Sequence, residues 1–510
     1  MQARNPWAVY AALLFGTFIT IEAAAFQAPA LPSITRHFGI AINLSALIII
    51  MYSLALTVSA PIMGKLGDQY GRKRILTIGM LIFAVSEFAA AWAPSFWFFL
   101  AARFLQGLGA ACILPGVFAY VAHLFPANQR GMALGILSFT MSFGAASGGF
   151  LAGLLIDRFG WPSVYWISGA LTLIGLLPVR LAVPEIKPSG SPQRFDALGS
   201  VLLFATIGSL LSLPTWAGNF GRDSIVTWTV VVIGISCLLL LWRHSRRNRN
   251  PVVDLGILLQ RSFGLPSLIY WLHMIFSSSI AYTLSFFIIG RPGGSTSQFG
   301  IVTLALFGCI LISSPLAGRL VDRIEARTVS IFAMFVGLIG TLLFLTMDVN
   351  TPLPMVLLIT AILGISVGCN TPAVMKMALG AVPAEKVGAG SGLFSMFRDL
   401  GSPTGASLSL AVFGGLVASN TFSSLRDQTA SLGLDSDSLQ SLVKAASSRT
   451  AEVPAELASK LEGAGLTVNQ VLGEAVSSGL TAGLQGSGYL LLGLIGAALV
   501  VSLKLEKAKG

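Results

Sequence analysis

Charge is what this chain has least of. Only 10% of its 510 residues are Asp, Glu, Lys or Arg, where soluble domains carry about 25%, so an ordinary water-soluble globule is excluded. Cysteine is almost as scarce. The four, Cys112, Cys237, Cys309 and Cys369, stand in separate apolar stretches without paired spacing, which argues against a disulfide framework and for packing roles. The four histidines, His37, His123, His244 and His273, are equally scattered. No metal site and no nucleophilic set suggests itself, and the chain reads as a non-enzyme without a bound cofactor.

What is abundant is apolar sequence, at 54% of residues. It comes in runs of about 20 residues, each long enough to cross a hydrocarbon core about 30 Å thick as a helix. Barrel strands would be shorter and alternate in polarity, so the expected fold is all-α and polytopic. The spans fall at 7–29, 40–62, 75–93, 96–122, 131–155, 161–181, 197–217, 224–242, 262–289, 297–317, 328–348, 353–378, 387–416 and 486–503. These fourteen spans put both termini on one side. Of the 32 basic residues, 22 fall on that side, against 4 in the short loops opposite, so the termini are expected in the cytoplasm. The net charge of +11 belongs to the same asymmetry, and WRHSRRNRN (242–250) reads as a topogenic anchor at anionic lipid, not a nucleic-acid site.

An internal repeat orders the spans. PIMGKLGDQY (61–70) returns as PLAGRLVDRI (315–324), and Pro115, Pro126, Gly131, Gly135, Gly144 and Gly148 return as Pro372, Pro383, Gly388, Gly392, Gly401 and Gly405. The reading is two six-helix bundles, 1–181 and 262–510, with a two-helix insertion and its linkers at 182–261 and an external loop at 417–485. Repeated halves that rock about a midplane site suit a carrier better than a channel or a receptor.

GKLGDQYGRKR (64–74) sets three glycines among charges between two apolar runs. RFLQGLGAA (103–111), ALPSI (30–34), FRDLGSPTG (397–405) and GAASGG (144–149) add further motifs. Together they resemble the major facilitator superfamily, and within it the fourteen-span drug:proton antiporters. The resemblance covers essentially the whole chain and implies a proton-driven exporter in a bacterial cell membrane. It assigns Gly64, Gly67, Asp68, Gly71, Arg72 and Lys73, with their echo Gly318 and Asp322, to a cytoplasmic gate that latches the halves. It assigns Gly144, Gly148 and Gly149 to helix packing, with Ala145 standing where the antiporter motif has proline. Gly64 and Asp68, like Asp68 and Arg72, are spaced i, i+4, which suits close helix approach and an ion pair respectively.

Charges inside spans are costly and are functional candidates. Glu22, Glu87 and Arg103 all fall roughly 10 Å below the outer surface at 1.5 Å per residue. Burial favours a protonated carboxyl and a nearby guanidinium favours the charged one, so relative motion of the two toggles proton binding. Glu22 is the expected proton carrier with Arg103 as its switch, the alternative being a permanent Glu87–Arg103 pair. Asp399, beside Arg398 near the midplane, is either a second acid or a partner for Lys376. Asp157 reads as an interfacial residue. Phe26, Gln27, Met51, Tyr52, Gln106, Trp271, His273, Phe276, Asn370, Met375 and Arg398 are the candidate cavity lining, and the segment 417–485 is either a cap on the external mouth or disordered. The expected function is proton-coupled efflux of hydrophobic or cationic compounds by a monomer in the bilayer. The alternative is the same fold carrying one endogenous solute or lipid, without necessarily being an antiporter.

Overall fold

The computed structural model describes residues 5–186, 196–248, 255–382, 387–430, 436–448, 453–463 and 466–505. Pro383 and the side chain of Asp68 lie outside the described set. Among the described residues the chain is helical without strands. The first six spans use α1 (Pro6–Ala25), α2 (Gln27–Phe38), α3 (Ala46–Tyr70), α4 (Arg72–Ala91), α5 (Phe96–Leu124), α6 (Ala127–Phe159) and α7 (Pro162–Ala182). Next come α8 (Ala197–Phe220), α9 (Ile225–Arg247) and the short α10 (Leu255–Leu258). The second set is α11 (Arg261–Gly290), α12 (Thr296–Arg323), α13 (Ala326–Phe344), α14 (Leu353–Gly380) and α15 (Val387–Gln428), then α16 (Ser436–Ser448), α17 (Ala455–Gly463) and α18 (Val468–Leu503). Fourteen segments are long and apolar enough to cross a membrane, matching the number expected.

The helix pairing recurs in both sets. In the first, α5 packs on α3 and α4, α4 on α7, and α1 on α6; in the second, α14 packs on α12 and α13, α13 on α18, and α11 on α15. The inserted α8 touches α3 of the first bundle and α15 of the second, while α9 rests on α8. Asp196 ties this hairpin at its base: it accepts from Gly199 N at 3.0 Å as the cap of α8 and meets His244 Nε2 of α9 at 2.6 Å.

Two boundaries differ from expectation. The first span breaks at Phe26 because Pro29 has no N–H for the Ala25 carbonyl, and the chain restarts as α2 with Ala30 N on Phe26 O at 3.0 Å. The segment 417–485 is neither a simple loop nor disordered in its described residues. There α15 runs 42 residues and α18 runs 36, beyond the roughly 20 a bilayer needs. Small residues let them pack past the expected ends: a Cβ on Gly479 would lie 2.3 Å from Thr421 Oγ1, and one on Gly483 2.8 Å from Val417 Cγ2. Helices α16 and α17 close over them, burying Leu442, Leu457 and Leu461 with Leu425, Val471 and Ala475.

The bundles meet along α6 and α12 and along α3 and α15. Along α6 two glycine pairs point to two neighbours about 100° apart. Gly144 and Gly148 admit α1, where a Cβ at 148 would lie 2.9 Å from Glu22 O; Gly149 and Gly153 admit α12, against Thr303 and Thr296. Gly414 of α15 likewise meets the turn at Ile42 and Asn43. These cross-bundle contacts lie in the half of the molecule away from the chain termini.

Candidate functional site

Four helices of the first bundle bring their polar side chains to one buried point. Arg103 and Gln106 sit one turn apart on α5, so both face the same way. Arg103 Nη1 donates to Gln106 Oε1, and Gln106 Nε2 donates to Glu87 Oε1 of α4. Ser168 Oγ of α7 donates to the same Glu87 oxygen at 3.1 Å. The guanidinium stacks 4.5 Å above the Tyr52 ring of α3. Arg103 and Glu87 are both 0% exposed, and Glu87 Oε2, Arg103 Nε and Arg103 Nη2 lack a hydrogen-bond partner among the described residues. Glu87 and Arg103 thus join through Gln106. Beside them Tyr165 Oη donates to Gln27 Oε1 at 3.2 Å, and Gln27 Nε2 donates back to Ala23 O.

Glu22 is not part of that chain. It lies on α1 against Gly148, 5% exposed, with Oε2 buried and lacking a hydrogen-bond partner among the described residues. The described contacts of Arg103 go to Gln106 and Tyr52, so the expected Glu22–Arg103 pairing is not made in this conformation. Glu22 instead occupies the α1–α6 seam, one residue along α6 from where Gly149 meets Thr303 of the second bundle.

The second bundle holds its polar side chains in separate groups. Asn370 of α14 accepts from Ser330 Oγ of α13 at 2.7 Å, while its Nδ2 lacks a partner among the described residues. His273 of α11 is 0% exposed and stacks on Phe276 at 5.7 Å. Its ring lies beside the Ser366 carbonyl, and neither nitrogen makes a well-formed hydrogen bond. Arg398 Nε donates to Asp399 Oδ1 at 2.8 Å, and Lys376 pairs with Asp322 at 3.2 Å. Asp399 is therefore the partner of its neighbour Arg398, not of Lys376.

The remaining candidates separate. Phe26, Gln27, Tyr52, Gln106, His273, Phe276 and Asn370 are buried, Trp271 and Arg398 partly so, and Met375 is 47% exposed. Met51 lines an apolar groove of about 530 Å³ with Phe104 and Trp216, between α3, α5 and α8. Of the gate motif, a Cβ on Gly64 would lie 3.8 Å from Pro115 Cβ of α5 and one on Gly67 3.6 Å from Arg72 Cγ. Gly71 takes φ +102°, a conformation that favours glycine. Glu185, after α7, accepts from Lys73 N at 3.0 Å and so caps α4. A Cβ on Gly318 would meet nothing within 4 Å. The described contacts of both motif copies stay within their own bundles.

Asp157 makes the contact that residue type did not reveal. Its Oδ1 accepts from Thr296 N at 2.9 Å and its Oδ2 from Ser297 N at 2.6 Å, across the bundle boundary at the start of α12. Neither Asp157 nor Glu185 stands in a motif that announces such a partner.

Two repeated helical bundles of membrane-spanning length, with charges buried in one of them, define a polytopic membrane carrier. The chain belongs to the Major Facilitator Superfamily, whose model matches residues 13–250 and 266–422. It is 31% identical over 413 residues to the multidrug resistance protein Stp of Mycobacterium tuberculosis, covering 79% of this chain and 74% of that protein. It is 26% identical over 420 residues to the riboflavin transporter RibZ of Clostridioides difficile, covering 80% and 89%. The crystal structure of a bacterial homologue of the human lysosomal transporter Spinster, inward-facing and unoccupied, shares the fold with TM-score 0.67 at 14% identity over 100% of both chains. The chain is a transporter of the membrane and not an enzyme.

Proposed function

We propose that this transporter exports hydrophobic, often cationic, compounds in exchange for protons, by alternating access between the two bundles. The observation that carries the reading is Glu22: a buried carboxylate with one unpartnered oxygen, on the helix seam that adjoins the second bundle. Such a group is the kind that can hold a proton in one state and a cationic substrate in the other. Lys and Arg collect at the end bearing the termini, which we take as cytoplasmic in a bacterial cell membrane. The cross-bundle contacts then close the outside, and the interior faces the cytoplasm, the side from which an exporter loads. Each charge moved is worth about 2.3 kcal/mol per 100 mV, so one proton entering per cycle suffices for uphill export. The likeness to Stp, named for multidrug resistance, supports the substrate class.

The test uses inverted membrane vesicles carrying an imposed proton gradient. Tetraphenylphosphonium and ethidium are expected to dissipate it in proportion to the amount of protein. No dissipation from correctly inserted protein contradicts drug export and favours the second reading, a carrier for one solute. That reading draws on Ala145 in place of proline and on the likeness to RibZ, named for riboflavin. Its own signature is saturable counterflow of one metabolite.

A further inference from the structure

The start of α12 is capped by residues from both bundles. Its own N-cap, Ser295, accepts from Gln298 N at 3.1 Å. The first two amides, Thr296 N and Ser297 N, go instead to Asp157 at the end of α6. A helix N-terminus attracts negative charge, and a carboxylate that takes two amides makes charge-assisted bonds. Below this point the two backbones nearly touch. A Cβ on Gly153 would lie 2.6 Å from Thr296 O, and one on Gly300 3.1 Å from Phe150 O. Ser297 Oγ adds a bond to Gly153 O at 3.4 Å.

Glu185 gives the contrast. It caps α4 in the same way, but from within the same bundle, so rocking of the bundles leaves it intact. The Asp157 cap cannot survive a separation of α6 from α12 at this end. Asp157 is exposed, so water can take over its oxygens when the helices part.

We infer that Asp157 is a gating residue: its carboxylate on the first amides of α12 holds the outer end closed, and release of that cap sets the balance between the two access states. This rests on the alternating-access reading above. Asp157 is a positioning residue here, acting on α12 and not on substrate. Its charge matters more than its bulk, because the bond acceptors sit at the positive end of a helix dipole.

The test uses the full chain in lipid nanodiscs, with the four native cysteines replaced and spin labels on cysteines at positions 159 and 350. Phe159 and Asn350 are both exposed, on the first and second bundle respectively, at the end away from the termini. Distances are read by double electron–electron resonance with and without tetraphenylphosphonium. Asp157→Asn is expected to raise the ratio of long-distance to short-distance molecules about tenfold, the scale of one charge-assisted hydrogen bond. Thr296→Pro approaches the same latch from the other side. Proline is tolerated at the first helical position, and Ser295 before it is already extended, with φ −141° and ψ 162°. This variant removes one donor and is expected to shift the ratio the same way, with the double variant shifting it no further than the larger single. Asp157→Glu, which keeps the charge, should recover part of the closed population. Two wild-type distances left unmoved by both Asp157→Asn and Thr296→Pro overturn the latch alone. One wild-type distance in every condition overturns alternating access and the latch with it.

Discussion

The two bundles share a helix plan and differ in what they bury. The first holds Arg103, Gln106, Glu87 and Ser168 in one bonded chain under the Tyr52 ring. The second holds, further from the outer end, Asn370 bonded to Ser330 and a weakly bonded His273. Repetition of a fold therefore does not repeat its electrostatics. The bonded chain pins α4, α5 and α7 together at the centre of the first bundle, although Glu87 Oε2, Arg103 Nε and Arg103 Nη2 have no hydrogen-bond partner among the described residues.

The largest effect expected from this contrast is at Arg103. Arg103→Ala leaves Glu87 and Gln106 without their cation, at a cost of about 3–5 kcal/mol. The loss is checked by thermal melting of detergent-solubilised protein. A melting temperature equal to wild type contradicts the pinned centre. In the second bundle Ser330→Ala removes the partner of Asn370 Oδ1, and about 1–3 kcal/mol is expected by the same assay. His273→Phe sits at the other extreme. Both ring nitrogens lack a well-formed bond, so an aromatic ring of similar size is expected to be neutral or slightly stabilising. A loss at His273 as large as that at Arg103 erases the asymmetry between the bundles.

Much of this was legible in the sequence. Fourteen apolar runs gave fourteen spans because hydrocarbon thickness fixes helix length. Gly144, Gly148 and Gly149 were assigned to packing by the family resemblance, and in the structure each stands where a Cβ would crowd a neighbouring helix. That Glu87 and Arg103 share a layer followed from the helical rise, but Gln106 as their bridge did not. Which of several polar neighbours intervenes depends on the rotation of three helices about their axes, and span boundaries leave that open. The Asp157 and Glu185 caps were hidden for a related reason. A carboxylate near a span end looks interfacial until the partner helix, 139 and 112 residues away in sequence, is brought to it. The length of α15 and α18 was missed because Gly, Ser and Ala read as loop, although between two helices they make a seam.

Glu22, and not Glu87, is proposed to carry the coupling proton. The direct measurement is the number of protons moved per tetraphenylphosphonium in proteoliposomes, for wild type, Glu22→Gln and Glu87→Gln. Loss of proton movement is expected in Glu22→Gln with substrate exchange still measurable, and proton movement retained in whatever Glu87→Gln protein folds. Proton movement unchanged in Glu22→Gln, or lost only in Glu87→Gln, contradicts it.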